Sequence, residues 1–145
     1  LLSSTTDREK RVDMLCEAAS EITGADLVAL YRFPKKGTDA TWLTFLDKRG
    51  LCAVPHRIRT HDLYSDILLE VGKAVVHLST SGPFSKLLLV PEMTSALAIY
   101  IEPAPGLKTI LILNSRRPNY FHRTSIESVE RLATLIHSSR GGSNV

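Results

Sequence analysis

The chain has 145 residues, of which 43% are hydrophobic and 23% are charged, and its formal net charge is +3. This length and apolar content predict one compact domain. The small positive charge is spread along the chain without a basic, aromatic-lined face, so binding to nucleic acid is not indicated. No apolar run approaches the roughly 20 residues that a membrane-spanning helix needs, so membrane insertion by this segment is not expected either.

The two ends of the sequence lack signs of folded structure. The chain opens with LLSSTTDREKR, which has no initiator methionine and no signal peptide, and it closes with SSRGGSNV. We therefore expect a cytoplasmic segment of a longer protein, with a linker remnant at 1–5, a domain at 6–138 and a linker or added tail at 139–145. Cys16 and Cys52 have no metal-like spacing and are interpreted as reduced thiols, with a single disulfide as the alternative.

A helix is predicted from Asp7 to Thr23. Asp7 can act as the N-cap, and Gly24 ends the helix where a left-handed residue is favourable. Apolar residues recur at helical spacing: Val12, Leu15, Ala19 and Ile22.

Three strands are predicted next, at Ala25–Phe33, Ala40–Leu46 and Gly50–Val54. The short connection Lys35–Asp39 indicates that the first two strands form a hairpin. Strict alternation along the second strand would place Trp42 on the face opposite Leu43 and Phe45.

The remaining elements are less regular. A short helix is predicted at Leu63–Val71, followed by the strand-like AVVHL and a loop at Ser79–Lys86. Two strands, TSALAIYI and KTILILN, are joined by the turn EPAPG. A last helix, TSIESVERLATLIH, has Ser125 as its expected cap. Strands joined by hairpins favour an α+β fold with an antiparallel sheet.

The sequence LKTILILNSRRPNYF shows how one strand leaves the core. Lys108–Asn114 is apolar on both faces, which predicts a central strand. The Asn114 side chain can bond neighbouring backbone and hold the chain exit, while Tyr120 and Phe121 anchor the following loop. Arg116 and Arg117 then lie on an exposed loop tip, where solubility is their expected role.

Residues 6–138 resemble a GAF domain, and the resemblance is carried mainly by the last hairpin and helix. A strand with a small polar residue (Ser95) leads to a strand that ends in asparagine (Asn114), then to a basic loop, a phenylalanine (Phe121) and a closing helix. The resemblance implies a central antiparallel sheet of about five to six strands. It places the N- and C-terminal helices on one face and a short helix with loops on the other. A PAS-like sensor is the alternative fold.

Several ligands of that family are not favoured by the residues present. Ser115 replaces the lysine, and Ser125 and Ile126 replace the acidic pair, of the motif found in cyclic-nucleotide-binding members. Leu63–Val71 lacks the cysteine to which bilins are attached. The two cysteines also match poorly with the cysteines of the methionine sulfoxide reductases that share this fold.

Motifs for catalysis and for metal binding are missing from the sequence. It contains no H-E-x-x-H, C-x-x-C, G-x-S-x-G or P-loop pattern, so we predict that this segment is not an enzyme, with a small reductase of the same fold as an alternative. The histidines are interpreted as surface or hydrogen-bonded groups, with a haem ligand at His61 or His77 as a minor alternative. No catalytic residue, metal ligand or cofactor is assigned.

The resemblance also implies where a ligand pocket lies. It would form between one face of the sheet and the segments 59–68 and 79–93. The candidate ligand-binding residues are Arg59, His61, Tyr64, His77, Phe84, Ser95, Leu97 and Ile99. A pocket filled by leucines and Met93 is the alternative.

The two long helices suggest a second role. The outer faces of the helices, with Met14, Ala18, Leu135 and Ile136 only partly committed to the core, could pair with a second copy as a four-helix bundle. The sequence therefore predicts a regulatory GAF domain of a prokaryotic signal-transduction protein such as a sensor histidine kinase. It would bind a small-molecule effector, form a homodimer, or both, and control an attached output domain. A domain that only dimerises is the alternative.

Overall fold

A six-stranded antiparallel sheet organises the chain in the computed structural model, which describes residues 2–50, 54–60, 74–77, 85–103 and 106–142. The elements in chain order are α1 (Leu2–Thr23), β1 (Leu27–Arg32), β2 (Asp39–Asp47), β3 (Arg57–Arg59), β4 (Ala74–His77), a 3₁₀ turn (Ser85–Leu87), β5 (Ser95–Ile101), β6 (Thr109–Ser115) and α2 (Arg123–Gly142).

The sheet has the strand order β3-β2-β1-β6-β5-β4, with every neighbouring pair antiparallel. β6 lies between β1 and β5, where Leu111 pairs with Leu30 on one side and with Ile99 on the other. All seven residues of β6 are buried. The prediction of an α+β fold with Lys108–Asn114 as a central strand is therefore confirmed.

One face of the sheet, here called the helix face, is covered by α1 and α2. Its buried residues come from both helices, from the strands and from the loop before α2. Those from the strands are Val28, Leu30, Leu97, Ile99, Ile101, Leu111 and Leu113. Because burial of aliphatic surface is the largest favourable term in folding, this layer stabilises the domain as a whole.

The opposite face, here called the cavity face, is covered by residues 86–93, which we call the cover segment. Four of its residues are buried against the sheet: Leu87, Leu89, Val90 and Met93. They pack on Leu27, Ala29, Tyr31, Ala40, Ala96, Ala98, Tyr100, Ile110 and Ile112. The helices and the loop-like cover therefore lie on opposite faces, as predicted, while the short helix expected at Leu63–Val71 lies outside the described residues.

A β-bulge in β2 changes the predicted phase of that strand. The register places Leu30 opposite Thr44 but Tyr31 opposite Trp42, so Leu43 is an extra residue without a partner across the ladder. As a result Trp42 and Phe45 both pack on the cavity face, while Leu43 packs on the helix face. The expectation that Trp42 and Phe45 face opposite sides was wrong, because a bulge interrupts strict alternation.

The strand predicted at Gly50–Val54 falls mainly outside the described residues, and the described third strand lies further along the chain. Gly50 lies in a turn with φ of 75°, residues 51–53 lie outside the described residues, and β3 is found at Arg57–Arg59. Pro55 lacks the N–H that a ladder needs, which agrees with a strand that begins after it.

Both helices are longer than the sequence suggested. α1 begins at Leu2 and α2 at Arg123, so neither Asp7 nor Ser125 is an N-cap, and α2 runs to Gly142, beyond the expected boundary at 138. Gly24 ends α1 as predicted: its φ is 73°, and its N–H donates to the carbonyl of Ser20 at 2.7 Å.

The loop from β6 to α2 is anchored as the sequence indicated. Phe121 is 1% exposed within the helix-face layer, and the Tyr120 hydroxyl donates to the carbonyl of Thr23 at the end of α1 at 2.8 Å. Arg116 is exposed, but its guanidinium also contacts Asp26 at 3.4 Å. The junction between the two helices is thus fixed by one hydroxyl and one buried ring.

Candidate functional site

The cover segment is fastened to the sheet by the side chain of Asn114. Its amide nitrogen donates to the carbonyl of Leu87 at 2.9 Å, and its oxygen accepts from the N–H of Leu89 at 2.7 Å. Asn114 is fully buried, so both bonds form away from water. The sequence predicted a bond from Asn114 to neighbouring backbone; the backbone it holds lies 25 and 27 residues away in the chain.

A cluster of charged residues holds the other end of the cover segment. Arg49 makes two bonds to the Asp47 carboxylate, at 2.7 and 2.9 Å, and a third to Glu92. The side chains of Arg49 and Asp47 are only 6% and 3% exposed. Hydrogen bonding from Arg49 lowers the pKa of Asp47, and the bonds to Asp47 and Glu92 raise the pKa of Arg49.

A cavity of about 610 Å³ lies between the cover segment and β3. This volume is within the range of about 300–1,000 Å³ that is typical of small-molecule sites. Its described lining residues are Pro55, Arg57, Ile58, Arg59, Lys86, Leu88, Leu89, Val90, Pro91 and Met93. The buried part of the lining is aliphatic, and its three basic residues are all exposed at the rim.

The rear of this region carries two buried tyrosines. The Tyr31 hydroxyl donates to the carbonyl of Pro55 at 2.6 Å, which fixes the start of the cavity wall, and burial raises the pKa of Tyr31. Burial and a hydrogen bond to Glu102 raise the pKa of Tyr100 to about 12. Both phenols are therefore neutral hydrogen-bonding groups near pH 7.

The described members of the predicted ligand-binding set do not form one group. Arg59 borders the cavity, and His77 lies in β4 opposite Ala96. His61, Tyr64 and Phe84 lie outside the described residues.

Three predicted floor residues were placed on the wrong face. Leu97 and Ile99 pack with the end helices, and the Ser95 hydroxyl donates to the carbonyl of Arg117 at 2.8 Å. β5 presents Ala96, Ala98 and Tyr100 to the cavity face instead. Every residue of β5 is buried, so its sequence has no polar alternation that could have indicated its phase.

Other parts of the site were missed by the sequence reasoning. Pro55 to Ile58 was not included in the predicted pocket, which began at Arg59. The Arg49–Glu92 contact joins residues 43 positions apart, and the sequence contains no local signal for it. The segment 79–93, in contrast, was correctly expected to contribute, since its described part supplies six of the lining residues.

Metal and thiol chemistry find little support in the described part of the chain. No group of three or more His, Cys, Asp or Glu side chains that could hold a metal ion occurs there. Cys16 is a free cysteine buried in the helix-face layer, and burial together with nearby carboxylates raises its pKa to about 12. Cys52 lies outside the described residues. As for membranes, none of the described helices is long and apolar enough to cross a bilayer.

No family model and no curated protein matches the sequence. Solved structures do match the fold. The blue-light absorbing form of the Thermosynechococcus elongatus PixJ GAF domain has a TM-score of 0.70 at 15% identity, covering 99% of this chain and 93% of that one. The GAF domain of a two-component sensor histidine kinase from Bacillus halodurans has a TM-score of 0.68 at 12% identity, with coverages of 93% and 94%.

A free methionine-R-sulfoxide reductase from Neisseria meningitidis, solved with its substrate, has a TM-score of 0.69 at 16% identity, covering 98% of this chain and 84% of that one. The chain therefore has the GAF fold. The prediction that the segment is not an enzyme was wrong as it stood, because this fold serves an enzyme as well as sensors. The missing motifs do not exclude catalysis, since fold alone does not determine activity.

Proposed function

We propose that this chain is a sensory domain of a signal-transduction protein. It binds a small-molecule effector in the cavity between β3 and the cover segment and transmits the occupied state to an output domain in the same protein. The observation that carries the proposal is the 610 Å³ cavity with an aliphatic interior, on the sheet face that the long helices leave uncovered.

The way in which the cover segment is held suits a responsive site. Its buried leucines contact the sheet, its backbone forms two hydrogen bonds with the Asn114 side chain, and its Glu92 side chain forms one ion pair with Arg49. A ligand that contacts Leu88, Pro91 or Met93 would touch the cover segment itself and could change its position. Because Arg49 is also bonded to Asp47 at the end of β2, displacement of the cover segment would also disturb the contact between Arg49 and the sheet.

The fold relatives are consistent with a sensory role. Two of them are GAF domains, one from a cyanobacterial light receptor and one from a two-component sensor histidine kinase. We extend that role to this chain and infer a cytoplasmic, prokaryotic parent protein.

A thermal-shift screen tests the proposal. We expect at least one compound from a panel of nucleotides, haem, amino acids and aromatic acids to raise the melting temperature, because a ligand at a hundredfold excess over its Kd stabilises the fold by about 2.7 kcal/mol. The variant Leu88→Trp fills the cavity and should abolish the shift, whereas Glu127→Trp adds the same side chain to an exposed position of α2 and should retain it. A shift that survives in Leu88→Trp would place the ligand elsewhere.

We also propose that the domain forms a homodimer through α1 and α2. Met14 is 65% exposed and Leu135 is 61% exposed, so both apolar side chains are accessible to a partner. Two helices from each copy would form a four-helix bundle that buries both side chains.

Light scattering after size exclusion tests the dimer. We expect a two-chain mass for the unchanged protein and a one-chain mass for Met14→Lys with Leu135→Lys. Lys36→Glu, in the exposed turn between β1 and β2, is the control and should keep the two-chain mass. A monomer at millimolar concentration in the unchanged protein contradicts this proposal and leaves the ligand site unaffected.

A further inference from the structure

The hydrogen bonds of β3 show which of its peptide groups point toward β2 and which point away from it. The N–H of Thr60 donates to the carbonyl of Thr38 at 2.8 Å, and the N–H of Trp42 donates to the carbonyl of His56 at 3.1 Å. In the same register Ala40 lies opposite Ile58. Hydrogen-bonded pairs alternate along an antiparallel ladder, so Ile58 bonds toward β2.

The residues on either side of Ile58 therefore point their peptide groups the other way. The N–H and C=O groups of Arg57 and Arg59 are directed away from β2, and β3 is the edge strand of the described sheet. Both residues border the cavity. Among the described strands none pairs with this edge of β3, and the two arginines that lie on it line the cavity.

The side chains of Arg57 and Arg59 project from the face of β3 opposite to that of Ile58. Ile58 packs against the cavity-face cluster, and side chains alternate along a strand, so Arg57 and Arg59 project away from that cluster and are exposed. The groups that these two residues direct away from β2 are the carbonyl of Arg57 and the N–H of Arg59, and we take these groups, rather than the guanidinium groups, as their contacts with the cavity.

We infer that the ligand of this cavity carries a peptide group and an apolar side chain, as in an N-acylated amino-acid amide or a dipeptide. This inference rests on the proposed function. One ligand residue aligned with Ile58 can donate its N–H to the carbonyl of Arg57 and accept the N–H of Arg59, as a parallel strand neighbour does.

The apolar part of the ligand follows from the same alignment. A residue placed beside Ile58 directs its side chain to the face on which Ile58 lies, toward Leu88 and Met93 of the cover segment. The cavity volume of about 610 Å³ matches an occupant of this size, since small-molecule sites typically have about 300–1,000 Å³.

The test uses N-acetyl-L-leucine N-methylamide as the probe, followed by amide NMR titration of the 145-residue chain. We expect the Arg59 amide proton to move downfield as the probe binds. The matched probe is the ester analogue in which the leucine N–H is replaced by oxygen. It should bind about tenfold more weakly, because the Arg57 carbonyl loses its donor. Equal affinity of the two probes would overturn the inference.

Two variants separate backbone from side-chain recognition. Arg59→Pro removes an N–H that takes no part in the ladder with β2, and proline is tolerated on an edge strand. We expect it to weaken the probe about tenfold, whereas Arg59→Ala, which keeps the N–H, should bind within twofold of the unchanged chain. If Arg59→Ala loses as much affinity as Arg59→Pro, the guanidinium is the contact and the inference is wrong.

Failure of this inference can be distinguished from failure of the proposed function. A compound that shifts the amides of Leu89 and Met93 but leaves Arg57 and Arg59 unmoved, or one that binds when the probe does not, overturns only the ligand class. Absence of any ligand, probe included, overturns both.

Hydrogen exchange provides a ligand-free check: in the free chain the Arg59 amide should exchange faster than that of Thr60, and equal protection would show that the edge is not open.

Discussion

The two faces of the sheet are covered in different ways. The helix face is closed by two long helices and by a layer of buried aliphatic side chains with Phe121. The cavity face is closed by the eight residues of the cover segment, which depend on Asn114 and Arg49 for their polar anchors. Both faces bury an apolar layer of similar size, and they differ in that a short segment with polar anchors, rather than two helices, covers the cavity face. We therefore expect the cover segment to open more readily than the helices.

The most disruptive change should be one that opens the helix face. Phe121→Ala removes a ring that is 1% exposed, and we expect the free energy of unfolding to fall by about 3–5 kcal/mol. Urea denaturation measures it. Because this layer is shared by both helices and the sheet, all probes of unfolding should shift together; a loss confined to the last helix would contradict the view that the helix face is one unit.

A change at the cavity face should cost less and act locally. Asn114→Ala leaves the carbonyl of Leu87 and the N–H of Leu89 without partners, so we expect a loss of about 2–3 kcal/mol. Hydrogen exchange should show faster opening of residues 86–93 with little change in α1. Uniform acceleration across the chain would mean that the two faces are not separable.

The ion pair on the cavity face predicts a dependence on pH. Because Arg49 lowers the pKa of Asp47 in the folded chain, its stabilising effect is present above the ordinary aspartate pKa of about 3.9 and is lost as the pH falls through the lowered value. Asp47→Asn should destabilise the chain by about 2 kcal/mol at pH 7. It should also flatten the loss of stability below pH 4 in urea unfolding series, and an unchanged acid slope would argue against this assignment.

The smallest effect is expected from alanine substitutions at two glycines whose backbone lies in the left-handed region. A Cβ at Gly24 would lie 2.5 Å from the Tyr120 hydroxyl, whereas a Cβ at Gly37 meets nothing within 4 Å. Both alanine variants carry backbone strain, and only Gly24→Ala adds a steric clash. We therefore expect Gly24→Ala to lower the free energy of unfolding by about 1 kcal/mol more than Gly37→Ala does. Equal values would show that Tyr120 moves freely and does not fix the junction of the two helices.

The helix face was largely predictable from the sequence, and the cavity face was not. Of the four residues predicted at helical spacing, Val12, Leu15 and Ala19 are buried as expected, whereas Ile22 in the last turn of α1 is 49% exposed. The hairpin of β1 with β2 and the central position of β6 also followed from turn residues and a doubly apolar run.

The cavity face depends on signals that local sequence does not contain. The bulge at Leu43 changes the phase of β2, and the fully buried β5 gives no indication of which face Leu97 occupies. The anchors are contacts across long chain separations, as between Asn114 and Leu87. Periodicity cannot reveal such pairs, because they form only once the sheet is assembled.

The bulge in β2 has a practical consequence. It turns Trp42 to the same side as Phe45. The indole packs edge-to-face with both neighbouring rings, and its centroid lies 5.2 Å from that of Phe45 and 5.3 Å from that of His56. Trp42 is the only tryptophan of the chain, and His56 adjoins Pro55 and Arg57 of the cavity wall. The protein therefore carries its own fluorophore beside the mouth of the cavity, and we expect its emission to report occupancy without an attached dye.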